Sequence, residues 1–226
     1  MPHVIVFDLI GTLLDLQAMD AHFERFFGDA AVRKEWFMQT LQLAMAAMLT
    51  NAYEDFRVQE DTGLEMTARR YKISMLGEEK NLILGTLLRL RAYPEVGQSL
   101  QRLRDAGIRL ATLTNSTVKV AEDQLTSAGL REHFEQVISA DEIQCFKPAP
   151  EVYHLAARQL EVEHSQVRLV SAHDWDVTGA LRAGCEAAFI ARPGQVLNPF
   201  GPQPFVKGAD LADVVEQILA IELAQG

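Results

Sequence analysis

A chain of 226 residues, 48% hydrophobic and 23% charged, has the composition of a globular protein with a sizeable core in one or two domains. Its formal net charge of −10 denies it the basic surface that nucleic acid or an anionic membrane requires, while leaving room for a small anionic substrate in a locally positive pocket. Cys145 and Cys185 have neither metal-ligand spacing nor a disulfide framework, no basic and apolar leader follows Met1-Pro2-His3, and no apolar run approaches the ~18 residues of a membrane span, so the sequence predicts a cytoplasmic protein.

Val4-Ile5-Val6-Phe7 is a continuous apolar run, the pattern of a strand buried on both faces of a parallel sheet. Asp8 follows at once, then Gly11 and Thr12, which places a carboxylate where open α/β sheets bind ligands. Alone, Asp8 is equally a turn residue, a metal ligand or a nucleophile. From residue 19 to 90 only helical spacing is found. One helix ends at Gly28-Asp29, and others are predicted over 34–49, 55–71 and 78–91; the second carries Trp36, Phe37, Leu41, Ala44, Met45 and Met48 on one broad apolar side.

Strand and helix then alternate. A helix from 96 to 105 stops at Gly107, a strand over 108–113 ends in Thr114-Asn115, and a strand over 136–139 leads to a loop with Lys147-Pro148. A strand over 167–170 ends in Ser171-Ala172-His173-Asp174-Trp175-Asp176, another covers 187–190, residues 192–204 form a Pro- and Gly-rich surface loop, and a last helix spans 211–223. This grammar predicts an α/β fold: a doubly wound parallel sheet with helices on both faces and an inserted all-helical segment. The predicted division is a Rossmann-like core of 1–14 and 92–226 with a helical cap of 15–91. Four strand ends converge on one sheet edge, carrying Asp8 and Thr12, Thr114 and Asn115, Lys147, and the 171–176 stretch. Separately these read as a helix cap, a solvated lysine, two capping aspartates and a core tryptophan; together they read as a site.

Phe7-Asp8-x-x-Gly11-Thr12-Leu13, Leu113-Thr114-Asn115, Phe146-Lys147-Pro148-x-Pro150-x-x-Tyr153 and Ser171-x-x-x-Trp175-Asp176-x-x-Gly179-Ala180 resemble the four motifs of the haloacid dehalogenase superfamily. The chain is most similar to its type II, (S)-2-haloacid, branch; Tyr53-x-Asp55-Phe56 also resembles that branch, where the aromatic lines the halide pocket. The resemblance implies that Asp8 attacks the halogen-bearing carbon and becomes esterified, with Lys147 orienting it and Asp176 activating the water that hydrolyses the ester. It gives Ser171 and Thr12 orienting roles. The N–H groups of Leu9 and Ile10, with Thr114 and Asn115, would hold the substrate carboxylate. Phe56 and Trp175 would supply an apolar wall, and Tyr153 and His173 further substrate contacts. No metal or other cofactor is implied; the partner is a small haloacid or similar carboxylate.

The chain departs from that branch at three places. Ile10 stands where a tyrosine is usual, Phe37 follows Trp36 where an arginine is usual, and Ala172 and His173 replace Ser and Asn. A missing guanidinium would cost several kcal/mol in the transition state; Gln39, Arg33 and Arg57 are candidate substitutes, and His173 is either a polar replacement or a hydrogen-bonded histidine without catalytic duty. Ile10 also removes the second aspartate on which phosphatases of this superfamily rely. Two alternatives stand beside the dehalogenase: a magnesium-dependent phosphatase using Asp8 with Asp174 or Asp176, and a catalytically weak member with a binding role in a pocket made apolar by Ile10 and Phe37. The apolar cap helices and the loop near Phe200 are candidates for a homodimer contact, though Met and Phe at helical spacing equally describe plain core.

Overall fold

The structure, a computed structural model, describes residues 4–223. Met1-Pro2-His3, read above as opening without a leader, lie outside the described residues. Six strands, β1 (Val4–Phe7), β2 (Arg109–Thr114), β3 (Gln136–Ser139), β4 (Val167–Ser171), β5 (Glu186–Ile190) and β6 (Val206–Gly208), form one parallel sheet in the order β3-β2-β1-β4-β5-β6. β1 lies inside it, with Phe7 opposite Thr112 of β2 and Val170 of β4. Its unbroken apolar run follows from alternation: Ile5 and Phe7 enter one core and Val4 and Val6 the other. The first core takes residues of α5 (Val96–Asp105), α6 (Val118–Ser127) and α9 (Leu211–Leu223), the second those of α7 (Pro150–Gln159) and α8 (Asp174–Arg182).

Between β1 and α5 lie α1 (Asp20–Phe27), α2 (Val32–Leu49), α3 (Phe56–Arg70) and α4 (Gly77–Gly85). Gly28, where the sequence predicts the first of these helices to stop, is left-handed with φ 75°, and Asp55, the first residue of the predicted third helix, instead caps α3 by accepting from Val58 N. The fourth helix departs from expectation, ending at Gly85 and tightening to a 3₁₀ turn over Thr86–Arg89, where the Leu87 carbonyl accepts from Gln124 Nε2 of α6 at 3.0 Å. β6 was not foreseen, because three residues carry no readable period. The chain leaves and rejoins the sheet side by side: Asp15 N donates to Arg91 O at 2.8 Å and Tyr93 N to Leu13 O at 3.1 Å. Among the described residues, no helix is long and apolar enough to cross a membrane.

α2 and α3 pack closely through Trp36, whose indole N–H donates to Glu60 O at 3.0 Å. This packing buries the Glu60 side chain, and desolvation, against the nearby Arg57 charge and with Asp55 adding, pushes its carboxyl up to about 8. A carboxyl that binds its proton more tightly when folded supports the fold below its ordinary 4.5 and loses that support as pH rises to 8. Glu60→Gln is therefore expected to raise the melting temperature by several degrees at pH 8.5 and to leave it unchanged at pH 4.5; equal shifts at both would contradict the assignment.

Candidate active site

Asp8 is the first residue beyond β1, and its N–H continues the ladder to Val170 O at 3.1 Å, so the carboxylate starts from a rigid backbone. Gly11 turns the chain back with φ 80°; a Cβ there would also lie 3.0 Å from the His173 ring. The turn brings Thr12 Oγ1 to donate to Asp8 Oδ2 at 2.6 Å while accepting from Ala172 N at 3.0 Å, tying the loops after β1 and β4 together. On the other carboxylate oxygen sits Lys147. Its Nζ donates to Asp8 Oδ1 (2.7 Å), Asp176 Oδ2 (2.8 Å) and Leu113 O (3.0 Å), so all three ammonium protons have acceptors. Lys147 N–H in turn donates to Asn115 Oδ1 at 2.8 Å, which leaves the Asn115 amide nitrogen without a protein partner among the described residues.

Asp176, fully buried in the first turn of α8, has Tyr153 OH 2.7 Å from its Oδ1. Gly179 permits this: a Cβ there would meet the Tyr153 hydroxyl at 2.5 Å and Pro148 Cβ at 2.6 Å, so α7 and the Lys147 loop could not approach α8. Burial raises Asp8, but the Lys147 ammonium and His173, with the hydrogen bonds from Lys147 and Thr12, hold it below its ordinary value. Asp176 moves the other way: burial, with the Asp8 charge adding, keeps it above its ordinary value despite Lys147 and Tyr153. Lys147 is held up by both carboxylates against its own desolvation.

A small pocket opens on Asp8 and Lys147. It offers about 20 Å³ to the centres of water molecules, room for one or two. Ile10 and Trp175 from the core and Phe37, Leu41 and Phe56 from α2 and α3 form its apolar side; Thr114, Asn115 and Ser116 form its polar side. His173 stands between Trp175 (ring centroids 5.3 Å apart) and Phe37 (5.5 Å), with Nε2 2.8 Å from Ile10 O and 3.6 Å from Asp8 Oδ2. The Ile10 carbonyl is an acceptor, so that nitrogen carries a proton. The Leu9 and Ile10 N–H groups, beside Asp8, have no hydrogen-bond acceptor among the described residues, whereas those of Asp8, Gly11 and Thr12 do.

Residues 2–184 match the family model for haloacid dehalogenase-like hydrolases. This chain belongs to that family. An (S)-2-haloacid dehalogenase of Pseudomonas sp. (strain YL) is 30% identical over 94% of this chain and 92% of its own length. The solved L-2-haloacid dehalogenase of Xanthobacter autotrophicus superposes with a TM-score of 0.91 at 25% identity, covering 98% of this chain and 100% of that one. The structure of that enzyme with chloropropionic acid covalently bound shares the fold, with a TM-score of 0.90 at 24% identity over 98% and 100% of the two chains. This haloacid dehalogenase-like hydrolase is accordingly a hydrolase of the haloacid dehalogenase type on the doubly wound parallel sheet the sequence predicts.

Within this hydrolase some predicted site residues stand elsewhere than on the pocket wall. Tyr153 and Ser171 lie behind it, Tyr153 on Asp176 and Ser171 Oγ accepting from His173 N at 3.1 Å. Asp176 itself meets the pocket through Lys147. Tyr53 packs on Phe146 and donates to Asp141 Oδ1 at 2.5 Å. None of the proposed substitutes for the family arginine reaches Asp8. Arg33 pairs with Asp20, Arg57 donates to Leu84 O at 3.2 Å, and Gln39 accepts from Arg70 Nη2 at 2.6 Å. The wall residues Leu41 and Ser116 were missed, as was Arg192, which opens the predicted surface loop yet is buried: Nε and Nη2 donate to Thr12 O at 3.1 and 3.0 Å, and Nη1 lies 2.6 Å from Glu95 Oε1. As a cation site the cluster is already served, because the Lys147 ammonium lies between the two carboxylates and Asp174 Oδ1 accepts from Asn198 N at 2.7 Å. Among the described residues no group of three or more His, Cys, Asp or Glu side chains could hold a metal ion.

Proposed function

We propose that this hydrolase cleaves the carbon–halogen bond of a 2-halocarboxylic acid through an ester on Asp8. The observation that carries the reading is one buried ammonium shared by a carboxylate held low, Asp8, and one held high, Asp176, with the apolar Ile10 where a phosphatase needs an acid. Asp8 attacks C2 from the side opposite the halogen, the C–X bond breaks, and halide leaves with the electron pair, so no acid is required. The free N–H groups of Leu9 and Ile10 with Thr114 and the Asn115 amide hold the substrate carboxylate. Phe56, Trp175, Ile10 and Phe37 strip water from the departing halide, and His173 keeps Ile10 in place through its carbonyl.

Water then attacks Cγ of the ester, giving its proton to Asp176; in the closed pocket it must displace a contact of Lys147 or Tyr153 to do so. Thr12 and Lys147 orient the ester carbonyl, and Ser171 positions the turn that carries His173. Nothing in this cycle calls for a cofactor. Residues 15–91 act as a cap over a core of 1–14 and 92–226. Free Cys145 and Cys185 fit a reducing cytoplasm, and the almost fully exposed Phe200 and Phe205 on the loop before β6 support pairing of two copies.

The test is halide release from chloroacetate and (S)-2-chloropropionate with chelator present. Release with inversion at C2 is expected, and no release from either acid overturns the reading. Tyr153→Phe supplies a finer check. Its hydroxyl lowers Asp176, so its removal is expected to move the acid limb of ester hydrolysis, followed in a single turnover, to higher pH while sparing the rate on the alkaline side; an unmoved limb would remove Asp176 as the proton acceptor.

A further inference from the structure

Three cavities meet at the Phe37–His173 ring pair, and their chemistry differs. Besides the Asp8 pocket there is a cavity of about 220 Å³ with Asp15, Arg33, Lys34 and Arg192 in its wall. The third is a groove of about 620 Å³ along the outer side of α2, where Met38, Met45, Ala46 and Leu49 face Trp175. Its polar members are Gln42, Gln195, His173 and Asp174, the last turned toward Asn198 N. Phe37, Leu41, His173 and Trp175 belong to both the Asp8 pocket and this groove, so only the thickness of those side chains separates them. Met38 and Leu49 are 62% and 86% exposed, which leaves the groove as apolar surface open to water.

The reaction geometry says what should cover it. With the carboxylate held beside Leu9 and Ile10, and halide leaving opposite Asp8, the remaining C2 substituent must point out of a pocket that holds one or two waters. Two cavities adjoin it across shared side chains, one with charged groups in its wall and one largely apolar. Resting on the function proposed above, we infer that the groove on α2 is a subsite for the alkyl chain of the substrate, and that the preferred substrates are 2-haloalkanoic acids of about six to ten carbons. The Leu41 and Trp175 side chains part to let the chain through, and it lies on Met45 and Ala46. Phe37, an apolar ring at the junction, makes this passage compatible with a hydrocarbon where a guanidinium would not.

The experiment is halide release by the full chain from 2-chloropropionate, 2-chlorohexanoate, 2-chlorooctanoate and 2-chlorosuccinate, comparing the native protein with Ala46→Trp and Met45→Asp, and with native mass measured in parallel. Each added methylene is expected to raise kcat/KM about fourfold, the factor equivalent to about 0.8 kcal/mol of apolar burial. Both variants should keep the 2-chloropropionate value and lose the rise. A flat series, a rise untouched by both substitutions, or a preference for chlorosuccinate each overturns the subsite. So does a dimer that Ala46→Trp splits without altering the series, since the groove would then be a contact between copies. Silence toward every acid overturns the function itself, whereas release from the short acids without a chain-length gain overturns only the subsite.

Discussion

Asp8→Asn is expected to lower halide release by about 10⁴–10⁶-fold, the loss seen when a covalent nucleophile is removed. The amide keeps the shape of the carboxylate but has no anionic oxygen to form the bond to carbon. The fold should survive. Lys147 retains Asp176 and Leu113 O, so its ammonium still faces a counter-charge and a carbonyl. Asp176 should become a stronger acid, because the Asp8 charge that helps to raise it is gone. The measurement is halide release by a variant whose intact mass confirms the amide, alongside thermal unfolding; turnover near the native rate in a confirmed variant would end the ester mechanism. Asp176→Asn gives the complementary result: chemistry stalls after the first step, and intact mass after incubation with 2-chloropropionate shows a protein heavier by one esterified propionate. The proposed attack of water on Cγ should place the label in Asp8 and not in the first product released when hydrolysis runs in heavy-oxygen water at limiting substrate.

Lys147→Met is expected to damage both the fold and the reaction. The ammonium is almost entirely buried and has three acceptors; its removal leaves the carboxylates of Asp8 and Asp176 facing one another and the Leu113 carbonyl short of a donor. Breaking a buried pair from one side costs about 3–5 kcal/mol. The cost depends on pH with a definite sign. Without the ammonium, both carboxyls are raised by burial and mutual repulsion, and a raised carboxyl supports the fold below its unfolded value and loses that support as pH rises through the folded value. The variant should therefore lie closest to the native protein near pH 4 and furthest from it above pH 7, as read by urea unfolding at the two pH values. A penalty independent of pH would mean that the packing of the lysine stem, and not its charge, is what the native fold uses. Lys147→Arg separates charge from geometry: a planar guanidinium keeps the charge but cannot meet two carboxylates and a carbonyl at the place of one nitrogen, so neither activity nor stability should return.

Much of this molecule is set by signals that act over a few residues. Four apolar residues in a row make β1 a strand with both faces buried, Gly28 and Asp55 end and begin helices, and the alternation of strand and helix after residue 95 yields a parallel sheet, whose strand ends bring Asp8, Thr114, Lys147 and the 171–176 turn to one edge. Such features depend on backbone conformation and on the period of burial, both of which a sequence carries openly. Even Tyr53 and Phe56, adjacent in the same pattern, were separable only in space, one on Asp141 and the other in the pocket wall.

What the tertiary structure alone decided is which partner each polar or aromatic side chain takes. The apolar side of α2 is broad, so spacing could not say that Trp36 enters the core while Phe37 and Leu41 face Asp8. Arg33, Arg57 and Gln39 were equivalent candidates by position; Asp20, the Leu84 carbonyl and Arg70 claimed them instead. Arg192 reads as the start of a surface loop but is buried against Thr12 O and Glu95. A charged group settles wherever burial, counter-charge and hydrogen bonds are met together, and these are supplied by residues far along the chain. The sequence alone thus determined the sheet, the helical insert and the charged cluster at the strand ends; the wall of the pocket and the routes leading out of it were decided by long-range packing, which has no local signature.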